Sequence, residues 1–415
     1  MEAIWSIIEI EAQRILRIQC ASEHRIKKWL IAMSETIIKA FRFSFKPNKT
    51  QSQKLDNTLR LCKDLYNAAL QERKEAYQIN RISINYQHQQ NQLPAIKQTN
   101  PEYKEIHSQI LQNVLKRVDF AFQGFFNRVK KGQKAGFPRF RSISRYDSFT
   151  FPQSGFSLTG NKMTLSKLGT FKIKLSRKIQ GKVKTCQIKR ECGKWFVIFT
   201  IETTAEPLPK TGQSVGLDAG ISAFLTLSDG TQIDNFKYYE STQKKLRVAQ
   251  RRVARRKKGS NRRRKAVMQL RKIHQKIKNQ RNDFQHKIAN YLVKNYDLIA
   301  IERLNILGMS RGILAKQIND VAIGNFFNIL RQKAECAAKK LIEVPAAFTS
   351  QDCSSCGERV KKDLSVRVHH CSKCGLILDR DVNAAKNILL AGLADKSVKW
   401  NSSSCLLLES PIHSR

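Results

Sequence analysis

The chain has 415 residues, enough for two or three domains with cores of their own. Its 76 lysines and arginines face 33 acids, a formal charge of +43 that repels itself on folding and calls for a polyanionic partner. With no run of about 18 apolar residues to span a bilayer, nucleic acid fits that role better than an anionic membrane, and no membrane partner is expected.

Residues 1–36 fit poorly with the rest of the chain and read as an N-terminal extension, either a loose appendage or the product of an upstream start codon, since Met33 offers a second start. Their apolar run around Ile7 and Ile8 is too short for a signal peptide and is broken by Glu9 and Glu11. From Ile37 the pattern sharpens: Phe41, Phe43 and Phe45 alternate with polar residues as in a half-buried strand. Pro47 ends it, and Thr50 with Gln53 reads as a capping box. Leu55, Leu59, Cys62, Leu65, Tyr66 and Ala69 then mark one face of a helix reaching about Tyr77. A polar connection over Ile79–Gln98 leads to a second helix expected to open at Pro101, with Ile106, Ile110, Val114, Val118 and Phe122 at helical spacing.

Between Gly136 and Glu202 the period changes to two. Phe149 and Phe151, then Phe171, Ile173 and Leu175, then Trp195, Val197, Phe199 and Ile201 mark the clearest strands. With the Phe41–Phe45 strand they predict a small antiparallel barrel, interrupted by the two-helix insert. Phe137-Pro138-Arg139-Phe140-Arg141 interleaves rings with Arg139 and Arg141, which suits stacking on bases and gripping phosphates; a plain linker is the alternative.

Pro207 and Pro209 mark a boundary. Val215–Gly220 reads as an apolar strand ending on Asp218 before a tight glycine turn, followed by a hairpin around Asp229-Gly230. Lys244–Arg281 then carries eighteen Lys and Arg and no acid, with apolar residues three or four apart and a break at Gly259-Ser260-Asn261. This predicts a basic helical hairpin tracking phosphates through Arg251, Arg252, Arg255, Arg256, Lys257, Lys258, Arg262, Arg263 and Arg264. Asp297–Glu302 is a second buried strand ending in an acid; a helix around Val321–Lys340 and a strand over Leu341–Val344 come next.

Cys353/Cys356 and Cys371/Cys374 are two C-x-x-C pairs, each followed by glycine and separated by fourteen residues. That spacing lets four thiolates close on one tetrahedral ion, which makes a zinc ribbon; two buried pairs or disulfides are the alternative. The other six cysteines have no framework spacing, and the chain belongs in a reducing compartment. Directly after the ribbon, Asp379-Arg380-Asp381-Val382-Asn383-Ala384-Ala385 opens a helix, where Asp381 alone reads equally well as an N-cap.

Three acids thus hold special places: Asp218 and Glu302 at strand ends and Asp381 at a helix start. The order of elements suggests an RNase H-like α/β fold, in which such acids converge to hold two Mg²⁺ ions for phosphodiester cleavage. Gly216-Leu217-Asp218-Ala219-Gly220, Ile301-Glu302-Arg303-Leu304-Asn305, Thr349–Gly357 and Asp379–Ala385, in this order, closely resemble the TnpB (OrfB) family of transposon-encoded proteins, relatives of type V CRISPR effectors. The resemblance runs from about Ile37 to Leu390 and includes the opening KAFRFSFKPNKTQ.

It implies an RNA-guided DNA endonuclease of several domains. A wedge-type β-barrel would occupy 37–50 and 137–206, a helical recognition insert 51–136, a RuvC-type nuclease domain 211–345 and 376–395, a zinc ribbon 346–375 and a tail 396–415. A guide RNA from the transposon end would pair with a double-stranded DNA target beside a short flanking motif. Asp218, Glu302 and Asp381 would be the catalytic, magnesium-holding acids, Cys353, Cys356, Cys371 and Cys374 the zinc ligands, and the setting the bacterial or archaeal cytoplasm near the nucleoid. The chain departs from the family at Ile323, where tryptophan is frequent, and at Arg303, where an acid is common. Two other readings stay open: a guide-directed DNA-binding regulator that does not cut, and a transposase or its accessory protein.

Overall fold

The structure, a computed structural model, describes residues 36–309, 315–363 and 366–395; the expectations for the N-terminal extension and the tail lie outside them. It divides into two compact units, one ending at Thr204 and one beginning at Ala205.

In the first unit, strand β1 (Thr36–Phe45) pairs antiparallel along its whole length with β7 (Lys194–Thr204), Phe43 facing Val197 and Phe45 facing Trp195. The alternation has the expected effect: Phe43, Phe45, Trp195, Val197, Phe199 and Ile201 are buried while their neighbours turn outward. The remaining strands are β2 (Ser148–Phe151), β3 (Phe156–Thr159), β4 (Lys162–Leu165), β5 (Gly169–Lys174) and β6 (Lys182–Glu191). All seven form one sheet in the order β2-β6-β7-β1-β5-β4-β3. Its outer strands β2 and β3 are not paired to each other, although Phe151 and Phe156 bring their rings within 6.4 Å.

The chain leaves this sheet after β1 for helix α1 (Lys49–Asn80). Its cap is Asn48, whose side chain accepts from the Gln51 N–H at 2.7 Å while Gln51 reaches back at 3.0 Å, so the capping box sits two residues before the expected Thr50–Gln53. Leu55, Leu59, Cys62, Tyr66 and Ala69 are buried, as their spacing requires. The segment expected as a connection instead holds two short helices, α2 (Tyr86–Asn91) and α3 (Leu93–Thr99). Gln89 is their anchor: fully buried, it donates to the Ala69 carbonyl and to Glu72 and accepts from Arg73, so packing overrides a weakly patterned sequence. Pro101 opens only a 3-10 turn (Pro101–Glu105), and the long helix α4 (Ser108–Lys130) starts after His107. One continuous core joins these helices to the sheet.

The second unit is built on a five-stranded sheet of β8 (Ser214–Asp218), β9 (Ala223–Leu227), β10 (Gln232–Asp234), β11 (Leu298–Arg303) and β12 (Lys340–Pro345), in the order β10-β9-β8-β11-β12. β8, β9 and β10 run antiparallel, whereas β11 is parallel to both β8 and β12. The long crossover from β10 to β11 is the basic hairpin, α5 (Tyr238–Ala254) and α6 (Asn261–Asn295). After β11 come α7 (Ile306–Met309), α8 (Ala315–Val321) and α9 (Ile323–Cys336). The single helix expected over Val321–Lys340 is therefore broken at Ala322, whose left-handed φ of 53° turns the chain, and ends at Cys336. A two-stranded hairpin, β13 (Val368–His370) and β14 (Ile377–Asp379), leads into α10 (Arg380–Leu393).

Candidate active site and metal centre

β8 and β11 lie side by side with Ile301 opposite Leu217, so Asp218 and Glu302 each come one step later at the same carboxyl-terminal edge. Neighbouring strands sit about 4.8 Å apart, which brings the two acids close without any loop having to place them. The third acid arrives on α10, packed against β8 at a separation only glycine tolerates. A Cβ on Gly216 would stand 2.1 Å from the Ala385 carbonyl oxygen, and one on Gly392 2.6 Å from the Ala300 Cβ. Asp381, one turn before Ala385, lines the same cleft of about 870 Å³ as Asp218 and Glu302.

Asp379, not Asp381, is the helix cap: its carboxylate accepts from the N–H groups of Asp381 and Val382 at 2.9 and 3.2 Å. That removes the N-cap reading of Asp381 and frees its carboxylate for the cleft, where Arg380 donates to it at 3.1 Å and Arg367 at 3.3 Å. Burial pushes Asp218 up to about 7, and the charges of Glu302 and Asp381 add to that, with Arg380 acting against it. Glu302, 9 % exposed, is also raised by burial, countered by a hydrogen bond from the Thr349 hydroxyl. Three further acids line the cleft, Glu240, Asp320 and Asp363, of which Asp320 is engaged by Arg281 at 2.7 Å and by the Tyr239 N–H.

Asp218 and Glu302, both raised by burial, with Asp381 lining the same cleft, form an oxygen donor set of the kind a hard divalent cation takes. They are looser than the cysteines. Among the described residues only the cysteine set has its ligand atoms all within 4.8 Å of one another, while Thr349 bonds Glu302 and two arginines pair with Asp381.

In the ribbon, Cys353 and Cys374 lie 3.6 Å apart at sulfur, as do Cys356 and Cys371. A disulfide requires about 2.05 Å, whereas sulfurs bound 2.3 Å from one tetrahedral zinc ion stand about 3.8 Å apart; the disulfide alternative falls. Each pair curls through a left-handed glycine, Gly357 at φ 75° and Gly375 at φ 72°, whose N–H returns to the carbonyl of the first cysteine at 2.9 Å. Backbone N–H groups, that of Cys374 foremost, hold the Cys371 thiol down to about 7. At Cys356 the Glu358 N–H is outweighed by burial and hydrogen bonds with the other three sulfurs, which raise that thiol, so the first thiolate of the metal-free set forms at Cys371.

The ribbon is tied to the acid cleft by side chains that sequence reasoning passed over. Asn383, fully buried on α10, accepts from the Ser354 N–H at 2.9 Å and donates to the Asp352 carbonyl at 2.8 Å. One turn on, Asn387 donates to the carbonyls of Thr349 and Asp352. Two asparagines four apart on an otherwise apolar helix face were the available signal. Lys362 also lines the cleft and bonds to buried His369, a contact with no sequence signature.

The expected phosphate-gripping residues fall in both units. Arg252, Arg256 and Arg262 line an open groove of about 900 Å³ on the hairpin together with Lys244, Lys245 and Lys265. Arg251, Arg255, Lys257, Lys258 and Arg264 are exposed nearby. Arg263 differs from its neighbours in that one guanidinium nitrogen donates to the carbonyls of Val253 and Arg256, at 2.9 and 3.2 Å, and so braces the turn. Arg139 and Arg141 lie in the first unit, in a separate cleft. Ile323, in the position where tryptophan is frequent, is buried in the second unit's core.

Three family models match parts of the chain. A family model described as "Probable transposase" matches residues 196–312, one described as "Cas12f1-like, TNB domain" matches 324–388, and one described as "Helix-turn-helix domain" matches 33–81. The described part of that last stretch is one strand and one continuous helix. A "Putative RNA-guided DNA endonuclease" of Streptomyces pristinaespiralis is 33% identical over 372 residues, 87% of this chain and 91% of that protein. "Putative RNA-guided DNA endonuclease InsQ" of Escherichia coli (strain K12) is 33% identical over 381 residues, 86% of this chain and 93% of that protein. The solved mini-RNA-guided endonuclease CRISPR-Cas_phi3 aligns at a TM-score of 0.46 and 12% identity, covering 86% of this chain and 92% of that one, too remote to argue from. Kinship at 33% identity across nearly the whole of both curated relatives means that the chain belongs to the TnpB (OrfB) family of transposon-encoded proteins.

Proposed function

We propose that the protein is a transposon-associated, RNA-guided DNA endonuclease whose single nuclease centre is the cleft of Asp218, Glu302 and Asp381. One observation carries this: three acids from distant parts of the sequence line one cleft, where burial and mutual repulsion push Asp218 up to about 7. The sheet order, antiparallel on one side of β8 and parallel on the other, suits the RNase H-like domain, and the seven-stranded sheet with its inserted helices suits the wedge and recognition parts.

Divalent cations, of which magnesium suits these oxygens best, would activate the attacking water and neutralise charge on the leaving oxygen. The chain's own residues do the rest. Asp218 and Glu302 present carboxylates from rigid strand ends, and Thr349 fixes the orientation of Glu302. Asp381 is steered by Arg367 and Arg380, which also offset the cleft's negative charge as a phosphate enters. The four ribbon cysteines would hold a structural zinc ion. A guide RNA would choose the target by base pairing while the basic surfaces grip backbone.

The test is cleavage of a plasmid library bearing one target and randomised flanks, by protein co-expressed with RNA from its native locus, with Mg²⁺. Cutting that requires guide, flank and Asp218 is the expected result. The second reading, a guide-directed binder that does not cut, draws on the two arginines already occupying Asp381; guide-dependent binding without cutting by the unaltered protein would establish it.

A further inference from the structure

The first unit carries a second cleft, of about 660 Å³, that the nuclease chemistry does not use. One wall is α4, where Phe120 is 55 % exposed and Gly124 leaves open space above the helix. The other is the irregular chain after α4, which presents Phe137 and Phe140, each nearly half exposed. Arg128, Lys134, Arg139, Arg141 and Arg145 surround these rings, no acid lines the cleft, and among the described residues none of the five cations is in an ion pair.

The cleft is built rather than accidental. The Asn67 side chain, on α1, accepts from the Arg141 N–H at 2.8 Å and donates to the Arg141 carbonyl at 2.9 Å, pinning the loop as a neighbouring strand would. Edge-on contacts of Phe137 with Phe122 and Phe125, 5.5 Å between centroids, fix the loop's start. Phe140 makes no ring contact among the described residues and lines the cleft while nearly half exposed.

Exposed rings amid unpaired cations match a strand whose bases are free to stack and whose phosphates need neutralising. We propose that this cleft binds unpaired nucleotides of the guide RNA, with Phe140 as a stacking platform and Arg139 as a phosphate contact. The choice of RNA rests on the nuclease reading and on cost. A folded RNA offers splayed, unpaired bases in its loops and ends, whereas bases of a DNA duplex must first be unstacked, at a few kcal/mol.

The test uses the full-length protein and a short mixed-sequence single-stranded RNA, with the DNA strand of the same sequence and the RNA duplex as comparisons, titrated by fluorescence anisotropy. Phe140→Ala weakens the single-stranded RNA about tenfold, with no change in its salt dependence and no effect on the duplex. Phe140→Trp restores binding, and Arg139→Gln lowers the salt slope by about 0.7. In the complex with RNA from the native locus, 4-thiouridine cross-links fall within 136–145. Unchanged RNA affinity in Phe140→Ala, or cross-links only outside that segment, overturns the proposal. A greater loss for the DNA strand than for RNA also overturns it and assigns the cleft to the displaced or target strand. None of these readouts involves cutting, so RNA bound through Phe140 by a protein that never cuts would sink the nuclease reading alone.

Discussion

Asp218 shows what a half-buried carboxylate among other acids costs the fold. Its pKa is raised from the usual carboxylate range to about 7, so the native state binds a proton there that the unfolded chain has already released. In metal-free protein that contribution is absent below the ordinary carboxylate range, grows as pH rises, and is fully destabilising above about 7. Asp218→Asn is therefore expected to abolish cutting yet raise the melting temperature of the metal-free protein at pH 8, and to leave it nearly unchanged at pH 4. Thr349 makes a subtler prediction. Removing its hydroxyl with Thr349→Val leaves Glu302 unsteered and should shift the Mg²⁺ midpoint for cutting by about 10- to 100-fold, as losses around metal ligands do; Thr349→Ser should recover most of it. Asp218 and Glu302 were legible because an apolar strand ending on an acid is unusual. Asp381 was legible only through the family resemblance, since the residues alone read equally well as an N-cap, a role the capping geometry gives to Asp379.

At the scale of elements, the site depends on how closely α10 approaches the sheet. Gly216→Ala would drive a methyl into the Ala385 carbonyl, and should cost roughly 1–3 kcal/mol in denaturant unfolding while displacing Asp381 from Asp218. The ribbon braces the same helix through Asn383, fully buried with two hydrogen bonds, so Asn383→Ala should cost about 1–3 kcal/mol and lower cutting before it lowers RNA binding. Strong periodicity made the strands and the long α1 legible. The misses have physical causes. The α1 cap lies at Asn48 because Pro47 already ends the strand, and an Asn-x-x-Gln box is as competent as the Thr-x-x-Gln beside it. The short helices α2 and α3 have little apolar pattern and are anchored by one buried glutamine. The break at Ala322 was invisible because a residue other than glycine takes the left-handed turn.

Across the whole molecule the +43 charge is not spread as a featureless coat. Part of it lines the hairpin groove of the second unit and part surrounds the aromatic cleft of the first. Arg252→Gln and Arg256→Gln should each reduce the slope of log affinity against log salt by about 0.7–0.9, measured with guide RNA or target DNA. Arg263→Gln should leave that slope alone and lower thermal stability instead, because its guanidinium bonds the turn. Among the described residues no helix is long and apolar enough to cross a membrane.

The most direct test of the central claim is single-turnover cutting of a guide-matched plasmid by Asp218→Asn, Glu302→Gln and Asp381→Asn, singly and in pairs, beside guide RNA affinity for each. Acids acting as one metal centre predict a loss of about a thousandfold or more in every single variant, little further loss in the pairs, and unchanged RNA affinity. A single variant that cuts within tenfold of the unaltered protein, or losses that multiply across pairs, would contradict a shared centre.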